Sequence, residues 1–80
     1  MEYTLYTAAF CPFCIRVQRF LEKNNIKDKV TFKDIGKDPE AREALIQGGG
    51  KKQVPCLHYG DQWLYESRDI INHLKEQLLD

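Results

Sequence analysis

Apolar and polar residues alternate over "EYTLYT", residues 2 to 7, and the Tyr, Thr and Leu there suit a strand. The period then changes. From Phe13 to Lys23 the apolar residues Val17, Phe20 and Leu21 recur at helical spacing, Pro12 stands at a tolerated first helical position, and Asn24 with Asn25 closes the segment. "KVTFKDI", residues 29 to 35, alternates imperfectly through Val30, Phe32 and Ile35 and predicts a second strand. Asp38 can cap a helix with Pro39 at its first position and acidic Glu40 beside it; Ala41, Ala44, Leu45 and Ile46 form its apolar side, and "GGG" at 48 to 50 ends it. "QVPCLHY", 53 to 59, and "QWLY", 62 to 65, read as strands joined by a two-residue "GD" turn. Ser67 is expected to cap the last helix, with Ile70, Ile71, Leu74 and Leu78 as its buried stripe. The order βαβαββα predicts an α/β fold: a right-handed parallel crossover, then an antiparallel hairpin, giving a four-stranded mixed sheet with its three helices on both faces.

Eighty residues suffice for one compact domain, 1–80, with one small core. Twelve Lys and Arg balance twelve Asp and Glu, so bulk charge favours neither nucleic acid nor an anionic membrane as partner. No run approaches the roughly 18 apolar residues of a membrane span, and "MEYTLYTAAF" lacks the basic start and apolar stretch of a signal peptide, so a cytoplasmic location is expected. Three cysteines are too few to staple a secreted mini-protein; in a reducing compartment a close pair points to catalysis or metal binding.

The pair is Cys11 and Cys14 in "AAFCPFCIRV", residues 8 to 17. Only a thiolate attacks a disulfide. Cys11 falls where strand gives way to helix, and there the unpaired N–H groups and the positive end of the helix dipole favour negative sulfur, which makes Cys11 the nucleophile. Cys14, one turn deeper, can reach a mixed disulfide formed on Cys11 and is its resolving thiol. Pro12 fixes the backbone between them and offers no N–H. Two plainer readings compete: small buried core residues, or half of a zinc site completed by Cys56 and His58. A CxxC pair directly after a strand is a redox signature, and no second CxxC or HxxxH is present, so no metal site is expected. "GGGKK" is followed by Gln53 and does not complete a phosphate loop.

With "CPFC" at 11 to 14, "KKQVPCL" at 51 to 57 and "YESRDIINHL" at 65 to 74, the chain resembles the glutaredoxins over nearly its whole length. Its ending is similar to the N-terminal domain of glutathione transferases, where a Val-Pro strand precedes a Glu-Ser helix start. The resemblance implies a thioredoxin-like fold, attack by Cys11, resolution by Cys14, a cis peptide before Pro55, and glutathione as reducing co-substrate with no permanently bound cofactor. The implied partners are glutathione and glutathionylated or disulfide-containing proteins, and the implied state is a monomer. For the tripeptide, Val54 can pair its backbone with the cysteinyl unit as an added strand would, held by Pro55 and facing the motif that contains Phe13. Ser67 and the N–H groups after it suit the γ-glutamyl carboxylate, Glu66 its ammonium, and Lys51 or Lys52 with Gln53 the glycyl carboxylate. Each residue also has an ordinary reading: Ser67 as a cap, Glu66 and the lysines as solvated surface, Pro55 as the end of strand pairing.

The chain departs from many glutaredoxins at Ala8, where they carry Lys or Arg, and at Phe13, where Tyr is commoner. Cys56 is additional and is read as packing. Trp63, Tyr59 and Tyr65 are read as packing for the hairpin rather than a ligand platform. Three rivals follow: a thioredoxin-like reductant served by a flavin reductase, against which Glu66 and Ser67 argue; an iron-sulfur carrier, which Pro12 disfavours; and a transferase, whose helical second domain is not found in these residues.

Overall fold

The computed structural model describes residues 2–79. Strand β1 (Tyr3–Thr7) leads to helix α1 (Pro12–Lys23), and β2 (Val30–Asp34) returns parallel to β1. Helix α2 (Pro39–Gly49) connects to the antiparallel hairpin β3 (Cys56–Tyr59) and β4 (Gln62–Leu64), and α3 (Ser67–Leu78) closes the order. The sheet runs β2-β1-β3-β4, with β3 antiparallel to β1 and Leu5 opposite Leu57.

The strand pleat divides the core in two, because successive side chains point to opposite faces. Tyr3, Leu5 and Leu57 join Val17 and Leu21 of α1 and Ile70 and Leu74 of α3 on one face. Tyr6 and Cys56 join Ala41 and Leu45 of α2 on the other. Leu5, Val17, Leu21, Leu45, Leu57, Ile70 and Leu74 are wholly buried, and each such side chain contributes about 1.5–3 kcal/mol relative to an exposed one.

Several expected boundaries move. β3 begins at Cys56 rather than residue 53, since Pro55 has no N–H for a ladder. β4 ends at Leu64, one residue before Tyr65. β2 ends at Asp34, yet Ile35 still donates its N–H to the Thr7 carbonyl at 2.9 Å and packs on the α2 side, which is why the alternation there breaks. A 3-10 turn over Lys27–Lys29, unforeseen because those three polar residues carry no period, leads into β2. Ala44 is exposed while Ala41 and Leu45 are buried, so the apolar side of α2 is narrower than expected. Helix α2 also runs through Gly48 and Gly49, and Gly50, at φ 88°, supplies the left-handed turn that ends it.

The cap of α3 is corrected by one residue. Glu66 holds the cap position with extended backbone and no side-chain capping bond, and Ser67 is the first helical residue. Ile70 and Leu74 are buried as expected; Ile71 and Leu78 are half-buried at the edge of the same cluster.

Candidate active site

The chain leaves β1 through Ala8 and Ala9, and Phe10 adopts a left-handed conformation, φ 59°, that is rare for a bulky residue. Cys11 follows as the cap of α1, in extended conformation, with Pro12 beginning the helix. Its sulfur does what a serine oxygen does at other caps: Sγ accepts the Cys14 backbone N–H at 3.2 Å. That donor and the start of α1 place the sulfur at the positive end of the helix. The Cys11 thiol also donates weakly to the Val54 carbonyl at 3.9 Å, which ties α1 to the loop before β3.

Cys11 is half-exposed, whereas Cys14 and Cys56 are wholly buried, and all three are free thiols. Burial, together with a hydrogen bond to Cys11 and the nearness of its charge, pushes the Cys14 thiol up from 9.0 to about 12; a backbone contact with Ala8 opposes this. Cys14 is therefore a neutral thiol beneath the exposed sulfur. When Cys11 is tied up in a disulfide, the part of that rise due to Cys11 is removed, while burial and the nearby Asp34 charge still raise the thiol and the Ala8 contact still lowers it. Burial also pushes Cys56 up to about 11, against the lowering influence of Tyr65 and Lys51.

Beside Cys11 lies an open groove of about 120 Å³, lined by Phe13, Gln53, Val54, Pro55, Tyr65, Glu66 and Ser67. The Val54–Pro55 peptide is cis, as the resemblance implied. Six residues expected to touch a ligand thus share one cleft, drawn from the start of α1, the loop before β3 and the start of α3. Lys51 and Lys52 are exposed on that loop and do not line the groove. Tyr65 corrects the sequence reading: it does not merely pack the hairpin but forms part of the groove wall. Its place directly before Glu66 was the available signal. Trp63 and Tyr59 do pack, Trp63 stacked on His58 at 3.8 Å and Tyr59 against Tyr3 at 5.5 Å.

Among the described residues, no three of His, Cys, Asp and Glu gather as a metal-binding group. No helix among them is long and apolar enough to cross a membrane.

The glutaredoxin family model matches residues 3–64. Glutaredoxin 1 of Rickettsia prowazekii is 30% identical over 77 residues, covering 95% of this chain and 80% of the relative. The structure of the glutaredoxin-like protein NrdH-redoxin from Escherichia coli superposes with a TM-score of 0.74 at 32% identity, covering 92% of this chain and 95% of that one. The fold is shared as well with glutathione transferase Omega 3C from Trametes versicolor, at a TM-score of 0.81 and 22% identity, over all of this chain and 35% of the transferase. With its paired cysteines at a helix start and a thioredoxin-like sheet beneath them, the chain belongs to the glutaredoxin family of thiol-disulfide oxidoreductases.

Proposed function

We propose that the chain reduces glutathione mixed disulfides and protein disulfides with glutathione as its reductant. With a glutathionylated protein, the Cys11 thiolate attacks the glutathionyl sulfur. The Cys11–glutathione disulfide forms, and the protein leaves as a thiolate. The thiolate of a second glutathione then attacks the glutathionyl sulfur, giving oxidised glutathione and restoring Cys11. With a protein disulfide, Cys11 bonds to one protein sulfur and releases the other as a thiolate. Cys14 then attacks the Cys11 sulfur and expels the remaining protein thiolate, which takes up the proton Cys14 loses. Two glutathiones reduce the Cys11–Cys14 disulfide.

The observation that carries this reading is the groove: Phe13, Gln53, Val54, Pro55, Glu66 and Ser67 line one cleft next to Cys11, whose thiol lies 3.9 Å from the Val54 carbonyl. Val54 offers backbone pairing to a peptide, the first turn of α3 offers N–H groups to a carboxylate, and Glu66 offers an acceptor to an ammonium. These are the groups the γ-glutamyl and cysteinyl units of glutathione require. Lys51 or Lys52, with Gln53, would meet the glycyl carboxylate. The cycle belongs in a reducing compartment such as the cytoplasm, and a monomer suffices for it.

The likeness to NrdH-redoxin, described as having a thioredoxin-like activity profile, favours a second reading in which a flavin reductase regenerates the dithiol. Turnover of a glutathionylated peptide is to be measured with glutathione plus glutathione reductase, and separately with thioredoxin reductase. Turnover sustained by glutathione alone supports the proposal; turnover sustained only by thioredoxin reductase replaces it with the second reading.

A further inference from the structure

Tyr65 is held from two sides. Gly48 and Gly49 bring the last turn of α2 flush against the hairpin's aromatic side chains: a Cβ on Gly49 would overlap the Tyr65 hydroxyl, and one on Gly48 the Trp63 ring. Gly50 then turns the chain, so that the next residue, Lys51, crosses Tyr65. The Tyr65 hydroxyl donates to the Lys51 carbonyl at 3.3 Å, and the Lys51 ammonium sits 4.7 Å from the ring centroid. One side chain thus grips both the backbone and the charged tip of Lys51, in cation–π geometry that leaves the outward N–H donors free. Lys52, its neighbour, makes no such contact among the described residues.

Tyr65 is also a wall of the groove and the chain neighbour of Glu66. Lys51, though outside the groove lining, is therefore held against one of the groove's wall residues, the one that precedes Glu66 in the chain. A γ-glutamyl unit carries its carboxylate and ammonium on one carbon, so a site for it needs positive and negative groups side by side. Glu66 supplies the negative partner. The first N–H groups of α3 supply part of the positive one, and a full cation alongside completes it.

We infer that Tyr65 is a positioning residue that seats Lys51 as the cation for the γ-glutamyl carboxylate, leaving Lys52 and Gln53 to the glycyl end. This rests on the glutathione reading above. The test uses the full chain carrying Cys14→Ser, so that the exchange Cys11–SH + GSSG ⇌ Cys11–S–SG + GSH stops at the mixed disulfide. Its equilibrium is read by intact mass at fixed ratios of oxidised to reduced glutathione, and again with glutathione blocked as the ethyl ester at its glycyl carboxylate.

Lys51→Met is expected to weaken the mixed disulfide by roughly five-fold with glutathione and by the same factor with the ester, as befits one partly exposed ion pair. Lys52→Met is expected to weaken it with glutathione and lose that effect with the ester. Tyr65→Leu should match Lys51→Met, the double variant should lose no more than either single one, and Tyr65→Phe, which keeps the ring, should retain most of the affinity. An unchanged equilibrium in Lys51→Met, an effect that vanishes with the ester, or additive losses in the double variant would each overturn the inference. Should Tyr65→Leu fail to fold, the Lys51→Met comparison decides alone. A parent mixed disulfide no more favoured than one with 2-mercaptoethanol would instead defeat the glutathione reading itself.

Discussion

The backbone N–H of Cys14 points at the sulfur of Cys11 from 3.2 Å, while the Cys14 thiol lies buried beneath it. In the proposed cycle one residue thus supports the attacking sulfur through its backbone and resolves it through its side chain. The two roles separate by mutation. Serine at 14 keeps the N–H and removes only the resolving thiol, so Cys14→Ser is expected to keep turnover of a glutathionylated peptide within roughly ten-fold of the parent and to lose reduction of protein disulfides. Cys11→Ser is expected to abolish both. Steady-state assays on the two substrates check this, and residual turnover without Cys11 would refute its role as nucleophile.

Burial holds Cys14 and Cys56 as thiols, pushed up from 9.0 to about 12 and about 11. Above pH 9 the unfolded chain releases protons that the folded chain keeps, so stability is complete below that pH and falls as the pH rises. The slope is about 1.4 kcal/mol per pH unit for each thiol, running to about pH 11 for Cys56 and about 12 for Cys14. Tyr3, Tyr6 and Tyr65 are also raised by burial and add a loss of the same sign above pH 10.0. Urea unfolding between pH 8 and 10 should show the midpoint falling, with Cys56→Ala reducing the slope by about half. A flat profile over that window would contradict the burial argument.

The order of elements was legible because each helix carries its own punctuation: Pro12 and Pro39 at first positions, Asp38 as a cap that accepts from Glu40 and Ala41, and Gly50 at the end of α2. The place of the cysteine pair was legible for the same reason, since a strand followed by a cysteine and a proline marks a helix start. What escaped was set by three-dimensional contact. Tyr65 lies on the α2 side of the sheet with Trp63, and only the approach of Gly49 and Lys51 turns it into a groove wall. Ser67 and Glu66 are both polar at a helix start, and the sequence does not distinguish cap from first helical residue when the two are adjacent.

The close approach of α2 to the hairpin makes its two glycines intolerant. Gly49→Ala places a methyl group against the Tyr65 hydroxyl, and Gly48→Ala places one against the Trp63 ring, overlaps relieved only when the ring or the helix end shifts. Each is expected to destabilise the fold by about 1–3 kcal/mol, outweighing the gain of up to about 1 kcal/mol that alanine brings to an open helix position. Gly50 differs: a Cβ there meets nothing within 4 Å, and the penalty for Gly50→Ala comes from its φ of 88° alone. Thermal unfolding of the three variants checks the ranking, and a stabilised Gly49→Ala would show that the helix end does not rest on Tyr65.

Ser67 separates capping from binding. As a cap it would lose about 1 kcal/mol of stability on replacement by alanine. Instead Glu66 occupies the cap, and Ser67, buried at the first helical position, lines the groove. Its hydroxyl is thus free to act on a ligand carboxylate alongside the first N–H groups of α3. Ser67→Ala is expected to leave the unfolding free energy within about 0.5 kcal/mol of the parent and to weaken the Cys11–glutathione disulfide by roughly five-fold. Urea unfolding and the exchange equilibrium, measured on the same preparation, give both numbers. A large stability loss with unchanged exchange would return Ser67 to a capping role and remove it from the glutathione site.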